Sequence, residues 1–183
     1  MSFLTEVELT KEFEMTVTLL HATTDQELRD VAAMATSIWH EYWPALLTEE
    51  QIDYMVDTMQ SFEPIKHAIE TEGYRYWFIL DEEKKRVGYT AARLDQSTNR
   101  LFISKIYLYK EDRGKHYATQ VLCFYESLCQ EEGLSSMYLT VNKHNELGCR
   151  AYTGRGFATI DSVQTDIGHG FIMDDFIMEK QIF

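Results

Sequence analysis

The stretch Ile106-Tyr-Leu-Tyr-Lys-Glu-Asp-Arg113-Gly-Lys-His-Tyr-Ala118 changes character twice within a few residues. Its apolar and aromatic start reads as the end of a strand over Arg100 to Tyr109. Arg113 to His116 is a turn. A helix then runs from about Lys115 to Glu132, with Tyr117, Ala118, Val121, Leu122, Tyr125 and Leu128 on its apolar face and Gly133 as its stop. The charges on this helix are reversed. A helix N-terminus carries partial positive charge and prefers acids, yet Arg113, Lys115 and His116 crowd it, while Glu131 and Glu132 sit at the other end. A bound anion would turn that penalty into an advantage, because free amides and cations would converge on it. A solvated surface turn is the plainer alternative.

The strand–turn–helix sits inside a regular order of elements. Thr16 to Leu20 reads as a short strand. Thr24-x-x-Glu27 and Thr48-x-x-Gln51 are capping boxes opening two helices, and Pro64 suits the first turn of a third that Gly73 ends. Tyr74 to Leu80, Arg86 to Leu94 and the strand at Arg100 form an antiparallel meander. Beyond the central helix come a strand at Ser136 to Val141, a short helix from Asn145 to Arg155, and two strands flanking Ile167 to Gly170. This is an α/β pattern: a mixed, mostly antiparallel central sheet with helices on both faces.

A length of 183 residues suits one domain, expected over 15–183 behind an acidic extension at 1–14, with Met15 as an alternative start. The net charge of −13 argues against nucleic acid or an anionic membrane as the partner. Split by position, Arg100 to His116 carries five cations against two acids, so a local +3 stands against −16 elsewhere. Cys123, Cys129 and Cys149 are odd in number and lack metal-ligand spacing, so they read as reduced thiols of a cytoplasmic protein. No signal peptide is expected from residues 1–15, and no apolar run reaches membrane-spanning length. No metal site is expected, since Asp174-Asp175 has no His or Cys partner at ligand spacing.

The segment 106–118 resembles the coenzyme A loop of the GNAT N-acetyltransferase superfamily, an apolar strand followed by Arg/Gln-x-x-Gly-x-Gly/Ala. Arg113 and Ala118 match; His116 stands where the family prefers Gly. Val141-Asn142-x-x-Asn145, Tyr152 and Gly156-Phe157 resemble the family's second conserved block. The resemblance implies that acetyl-CoA is the co-substrate. It assigns the pyrophosphate cradle to the backbone of Arg113, Gly114, Lys115, His116, Tyr117, Ala118 and Thr119. It gives Ile106 and Leu108 backbone contacts to the pantetheine arm, with the Leu108 N–H also aimed at the acetyl carbonyl. Asn142 and Asn145 are implied pantetheine partners, or turn and cap residues, or both. Tyr152 is implied as the general acid for the departing thiolate; a core tyrosine is the alternative.

Glu41, Tyr42 and Trp43 fall where this fold lines its acceptor site, and His169, Asp174 and Asp175 fall on another wall. The implied activity is transfer of an acetyl group to a primary amine (a small amine, a polyamine or a cationic peptide) by direct attack in a ternary complex. A non-catalytic acyl-CoA-binding or interaction module, motivated by His116, and a phosphate-ligand protein without coenzyme A are the alternatives. The sequence points to no general base, and a homodimer is left open.

Overall fold

The computed structural model describes residues 16–183, so the acidic segment 1–14 and Met15 lie outside it. Seven strands form one sheet in the order β1-β2-β3-β4-β5-β7-β6. They are β1 (Thr18–His21), β2 (Tyr74–Leu80), β3 (Arg86–Asp95), β4 (Arg100–Leu108), β5 (Ser136–Asn142), β6 (Ala158–Gly168) and β7 (Phe171–Gln181). Every neighbouring pair is antiparallel except β4 and β5. A parallel pair needs a crossover, and α4 (Tyr117–Glu132) supplies it.

Two cores cover the two faces, as the alternation along β2 requires. Tyr76, Phe78 and Leu80 pack against α1 (Asp25–Tyr42), α2 (Glu49–Met55) and α3 (Phe62–Glu72). Trp77 and Ile79 face the other way, onto Val121, Leu122, Tyr125 and Cys129 of α4. The mixed, mostly antiparallel sheet with helices on both faces is therefore the observed fold.

Some boundaries move for physical reasons. At Thr48 the hydroxyl accepts from the Gln51 amide, but the Gln51 side chain does not return the bond; it turns toward the sulfurs of Met55 and Met173. The helix there continues as a π-turn, Val56–Gln60. That turn carries the buried Gln60, whose Oε1 accepts from Tyr89, which in turn accepts from the Trp39 indole. The helix expected from Lys115 begins at Tyr117, because His116 adopts a left-handed conformation with φ +62°. The last helix, α5 (Glu146–Thr153), stops two residues before Arg155, at Gly154.

Candidate active site

The two parallel strands stay together only briefly. β4 pairs with β5 from Arg100↔Ser136 to Ile103↔Leu139 and no further. A register shift in β4 opposite Ala91 and Ala92 bends it there, while β5 continues along β7 from Ser136 to Asn142. Beyond Ile103 and Leu139 the strands splay into a notch. Hydrogen bonding on the β3 side fixes which backbone groups face it. The Tyr109 amide donates to Val87, so Tyr109 and Tyr107 bond across to β3. By antiparallel alternation, Ile106 and Leu108 turn their amides and carbonyls into the notch. Gly88, opposite Leu108, permits this approach: a Cβ there would lie 2.1 Å from the Tyr107 carbonyl.

The loop after β4 brings amides to the notch's mouth. A short 3-10 turn, Lys110–Asp112, leads into Gly114 (φ +77°) and His116 (φ +62°), the left-handed pair a cradle of successive N–H groups requires. No side chain caps α4, and its first turn contains no acid. The amides of Tyr117, Ala118 and Thr119 thus have no carbonyl within the helix. Of the seven residues expected to offer amides here, Arg113 does not, because its N–H closes the turn on Lys110 at 3.3 Å.

The structure corrects the local charge count. Arg113 lies on Glu41 (3.1 Å), donates from Nε to the Leu108 carbonyl (3.1 Å) and covers the Tyr42 ring at 4.9 Å. Lys115 pairs with the buried Asp112 at 2.7 Å, and Arg100 with Glu179 at 3.7 Å. Three of the five cations are answered within the fold, two of them by acids far away in sequence. The mouth is favourable to an anion mainly through its amides. Glu41, expected on the acceptor wall, instead holds Arg113 and accepts from the Lys110 amide; it does not line the cavity.

A cavity of about 690 Å³ runs through the notch and is lined from both cores. This size suits a sizeable organic ligand. Its lining includes Gly114, His116, Tyr117, Ala118 and Thr119 from the loop and the start of α4, and Tyr42, Trp43 and Tyr107 from the aromatic side. The segment around α5 touches both groups, through Asn145 on Tyr42 and Arg155 on Thr119. Asn145 caps α5, accepting from the Gly148 amide at 3.0 Å while its side-chain amide donates to the Tyr42 hydroxyl at 3.0 Å. Asn142 closes the preceding turn, its Oδ1 accepting from the His144 amide. Both asparagines also line the cavity, so turn-making and site-lining coincide.

Tyr152 lines the cavity too, with its ring edge-on to Phe157 at 5.7 Å. Burial, with Tyr42 and Cys149 adding to it, raises the phenol to about 12. A tyrosine so placed stays protonated at neutral pH and is equipped to give a proton rather than take one. Thr119 accepts from Arg155 at 2.7 Å, a contact between the loop helix and the end of α5.

Sequence reasoning missed two polar residues on the cavity wall and did not single out a third. Lys105, on β4, donates to Ser104 at 2.6 Å, and burial lowers its ammonium to about 8. Gln60 leaves its Nε2 buried and without a partner. Asp175, named only as one of several wall residues, is raised to about 6 by burial and by Asp174, with Lys143 opposing. Neither His169, stacked on Tyr54 at 5.3 Å, nor Asp174, paired with Lys143 at 2.5 Å, lines the cavity. Among the described residues no group of His, Cys, Asp or Glu could hold a metal ion, and no helix is long and apolar enough to cross a membrane.

The splayed β4–β5 pair facing the uncapped start of α4 makes a site suited to an elongated ligand with an anionic end. The chain belongs to the acetyltransferase (GNAT) family, whose model matches residues 33–157, more than half of it. Acetyl-CoA is the co-substrate of that family. The chain is 28% identical over 103 residues to the uncharacterized N-acetyltransferase YycN of Bacillus subtilis (strain 168). That match takes in 55% of this chain and 66% of YycN, just short of two thirds of the relative. Its fold is that of the PaiA N-acetyltransferase of Thermoplasma acidophilum in complex with coenzyme A. The TM-score is 0.73 at 20% identity, covering 91% of this chain and 99% of that one. A dodecameric spermidine N-acetyltransferase of Vibrio cholerae superposes with a TM-score of 0.63 at 18% identity, covering 91% and 94%.

Proposed function

We propose that this N-acetyltransferase moves the acetyl group of acetyl-CoA onto a primary amine by direct attack, with both substrates bound together. The observation that carries the reading is the notch. It opens the inward-facing backbone of Ile106 and Leu108 directly between the α4 amides and an aromatic cavity. Acetyl-CoA supplies an activated acyl group; the protein's residues do the rest. The amides of Gly114 to Thr119 hold the pyrophosphate, with the α4 dipole behind them. Ile106, Leu108, Asn142 and Asn145 hold the pantetheine arm. The Leu108 N–H stabilises charge developing on the carbonyl oxygen. Arg113 lines the same cavity, and its Nε bond to the Leu108 carbonyl holds the following peptide, Leu108–Tyr109, in place. Tyr152 protonates the departing sulfur, a role supported by its place on the cavity lining and by a phenol that is protonated at neutral pH. The chain 15–183 acts as one domain, with 1–14 as an extension. The V. cholerae likeness, to an enzyme of spermidine, supports an amine as acceptor.

The test combines calorimetry with a thiol-release assay. Acetyl-CoA should bind, and an amine panel should release free thiol. Absence of binding at millimolar acetyl-CoA would end the proposal. Tyr152→Phe should lower kcat by about 100-fold, in the range for loss of a general acid, and leave acetyl-CoA affinity within about twofold. An unaltered kcat removes Tyr152 from the chemistry.

One observation favours a second reading, a non-catalytic acyl-CoA-binding module. His116 is a non-glycine residue held at φ +62° where the cradle bends. Turnover of any amine by the native protein excludes that reading.

A further inference from the structure

The acceptor end of the cavity holds a charge with little inside the protein to answer it. Asp175 is the only carboxylate among the described residues that line the cavity. It lies on β7 two residues from Met173, and so on the sheet face covered by α1 and α2. Its Oδ1 is buried and accepts no hydrogen bond from the described residues. The cation that acts on it, Lys143, is engaged with Asp174. The tyrosines Tyr42, Tyr107 and Tyr152 share its cavity, and the charge of Asp175 contributes to raising the Tyr107 hydroxyl. Much of the remaining wall here is apolar (Trp39, Met55, Met59, Val163, Ile167 and Met173), with Gln60 and Thr165 as neutral polar members. Lys105 is a cation on the same lining.

We propose that Asp175 receives the ammonium group of the acceptor, and that the acceptor is a primary monoamine with an apolar body rather than a polyamine. The inference rests on the N-acetyltransferase reading above and deepens it. One half-buried carboxylate answers one ammonium. A second ammonium on the same molecule would be stripped of water among methionines, with no second carboxylate on the described lining to offset the cost. A hydrocarbon or ring body instead gains from burying its surface against those walls.

The same contact resolves the proton problem. A bound ammonium has no lone pair, and Asp175 takes its first proton and passes it to solvent. The amine nitrogen then bonds to the acetyl carbon as the carbon–sulfur bond breaks. Tyr152 gives its proton to the departing sulfur and recovers one from the new amide nitrogen. One proton is released per turnover.

Two probes separate this inference from the reading beneath it. With acetyl-CoA binding established, 2-phenylethylamine and isoamylamine should each exceed spermidine and putrescine in kcat/KM by at least tenfold. An equal or reversed preference overturns the inference and leaves the N-acetyltransferase reading standing. Loss of acetyl-CoA binding removes both. In Asp175→Asn, calorimetry of 2-phenylethylamine on the coenzyme A-loaded protein should show at least tenfold weaker binding, with coenzyme A affinity within twofold. A smaller change in amine affinity overturns the assignment of Asp175. Should that variant fold poorly, Met59→Glu tests the same logic by gain. A second carboxylate on the wall should shift the ratio of kcat/KM at least tenfold toward spermidine, and an unchanged ratio counts against the proposal.

Discussion

Two helix starts in this protein solve the same physical problem in opposite ways. At α1, Thr24 accepts from the Glu27 amide at 3.2 Å, and Glu27 accepts in return from the Thr24 and Thr23 amides, both at 2.9 Å. Those bonds hold the Glu27 carboxyl down to about 2. At α4 no side chain caps the helix, no acid lies in its first turn, and His116 takes a left-handed conformation. Both helices carry apolar faces that build a core, so packing secures each of them. The α1 start is finished chemically; the α4 start is unfinished and therefore able to take an anion. The difference locates function in what a helix leaves unsatisfied.

The comparison is broken most severely by giving α4 the ending that α1 already has. Thr119→Asp places an acid in its first turn, as Asp25 and Glu27 stand in α1. It should weaken acetyl-CoA binding by about 100-fold through repulsion and competition for the same amides, while Tm holds or rises. Calorimetry paired with a melting curve reads both, and retained affinity would show that the amides are not the cradle.

The converse change is smaller. Thr24→Ala removes the α1 cap and should cost about 1 kcal/mol of stability in urea unfolding, without altering acetyl-CoA affinity. Acid separates the two ends in the same way. The Glu27 carboxyl is lowered on folding, so its contribution is complete above its ordinary pKa of 4.5 and is lost as the pH falls toward about 2. Wild type should therefore lose more Tm than Glu27→Gln between pH 5 and pH 3; parallel losses would contradict the capping role.

The smallest effect is expected from His116→Gly. A left-handed residue other than glycine costs about 1–2 kcal/mol, part of which the flexibility of glycine in the unfolded chain takes back. Stability should rise by under about 1 kcal/mol and affinity should shift by less than about tenfold. A large gain in affinity together with new activity would instead favour the degenerate-module reading.

Much of this was legible in the sequence because it is local. The α1 capping box, the Gly73 and Gly133 stops (φ +76° and +68°) and the strand Tyr74–Leu80 all stand where the residue pattern puts them. Periodicity and cap chemistry act over three or four residues, and the chain writes them out in order. The charges were misleading for the complementary reason. Counted along the chain, Arg113 and Lys115 make a basic notch; in space, Glu41 and Asp112 neutralise them. Glu41 was expected on the acceptor wall, where the resembling fold lines that site, together with Tyr42 and Trp43; those two do line the cavity, but successive helical residues point about 100° apart. Lys105 and Gln60 gave no signal, since an isolated Lys or Gln acquires an unusual environment only through burial by elements elsewhere in the chain.

By itself, then, the sequence determined the order of elements, several of the helix ends and the turn that leads from β4 into α4. Each of these follows from backbone chemistry within a turn or two. The tertiary structure alone decided that β4 and β5 part company after Ile103 and Leu139, and that Arg113 is answered by Glu41. It also decided that Asp175 is left as the one carboxylate on the cavity wall among the described residues. Strand separation, charge pairing and desolvation depend on distances between segments far apart in the chain, and no local pattern encodes those distances.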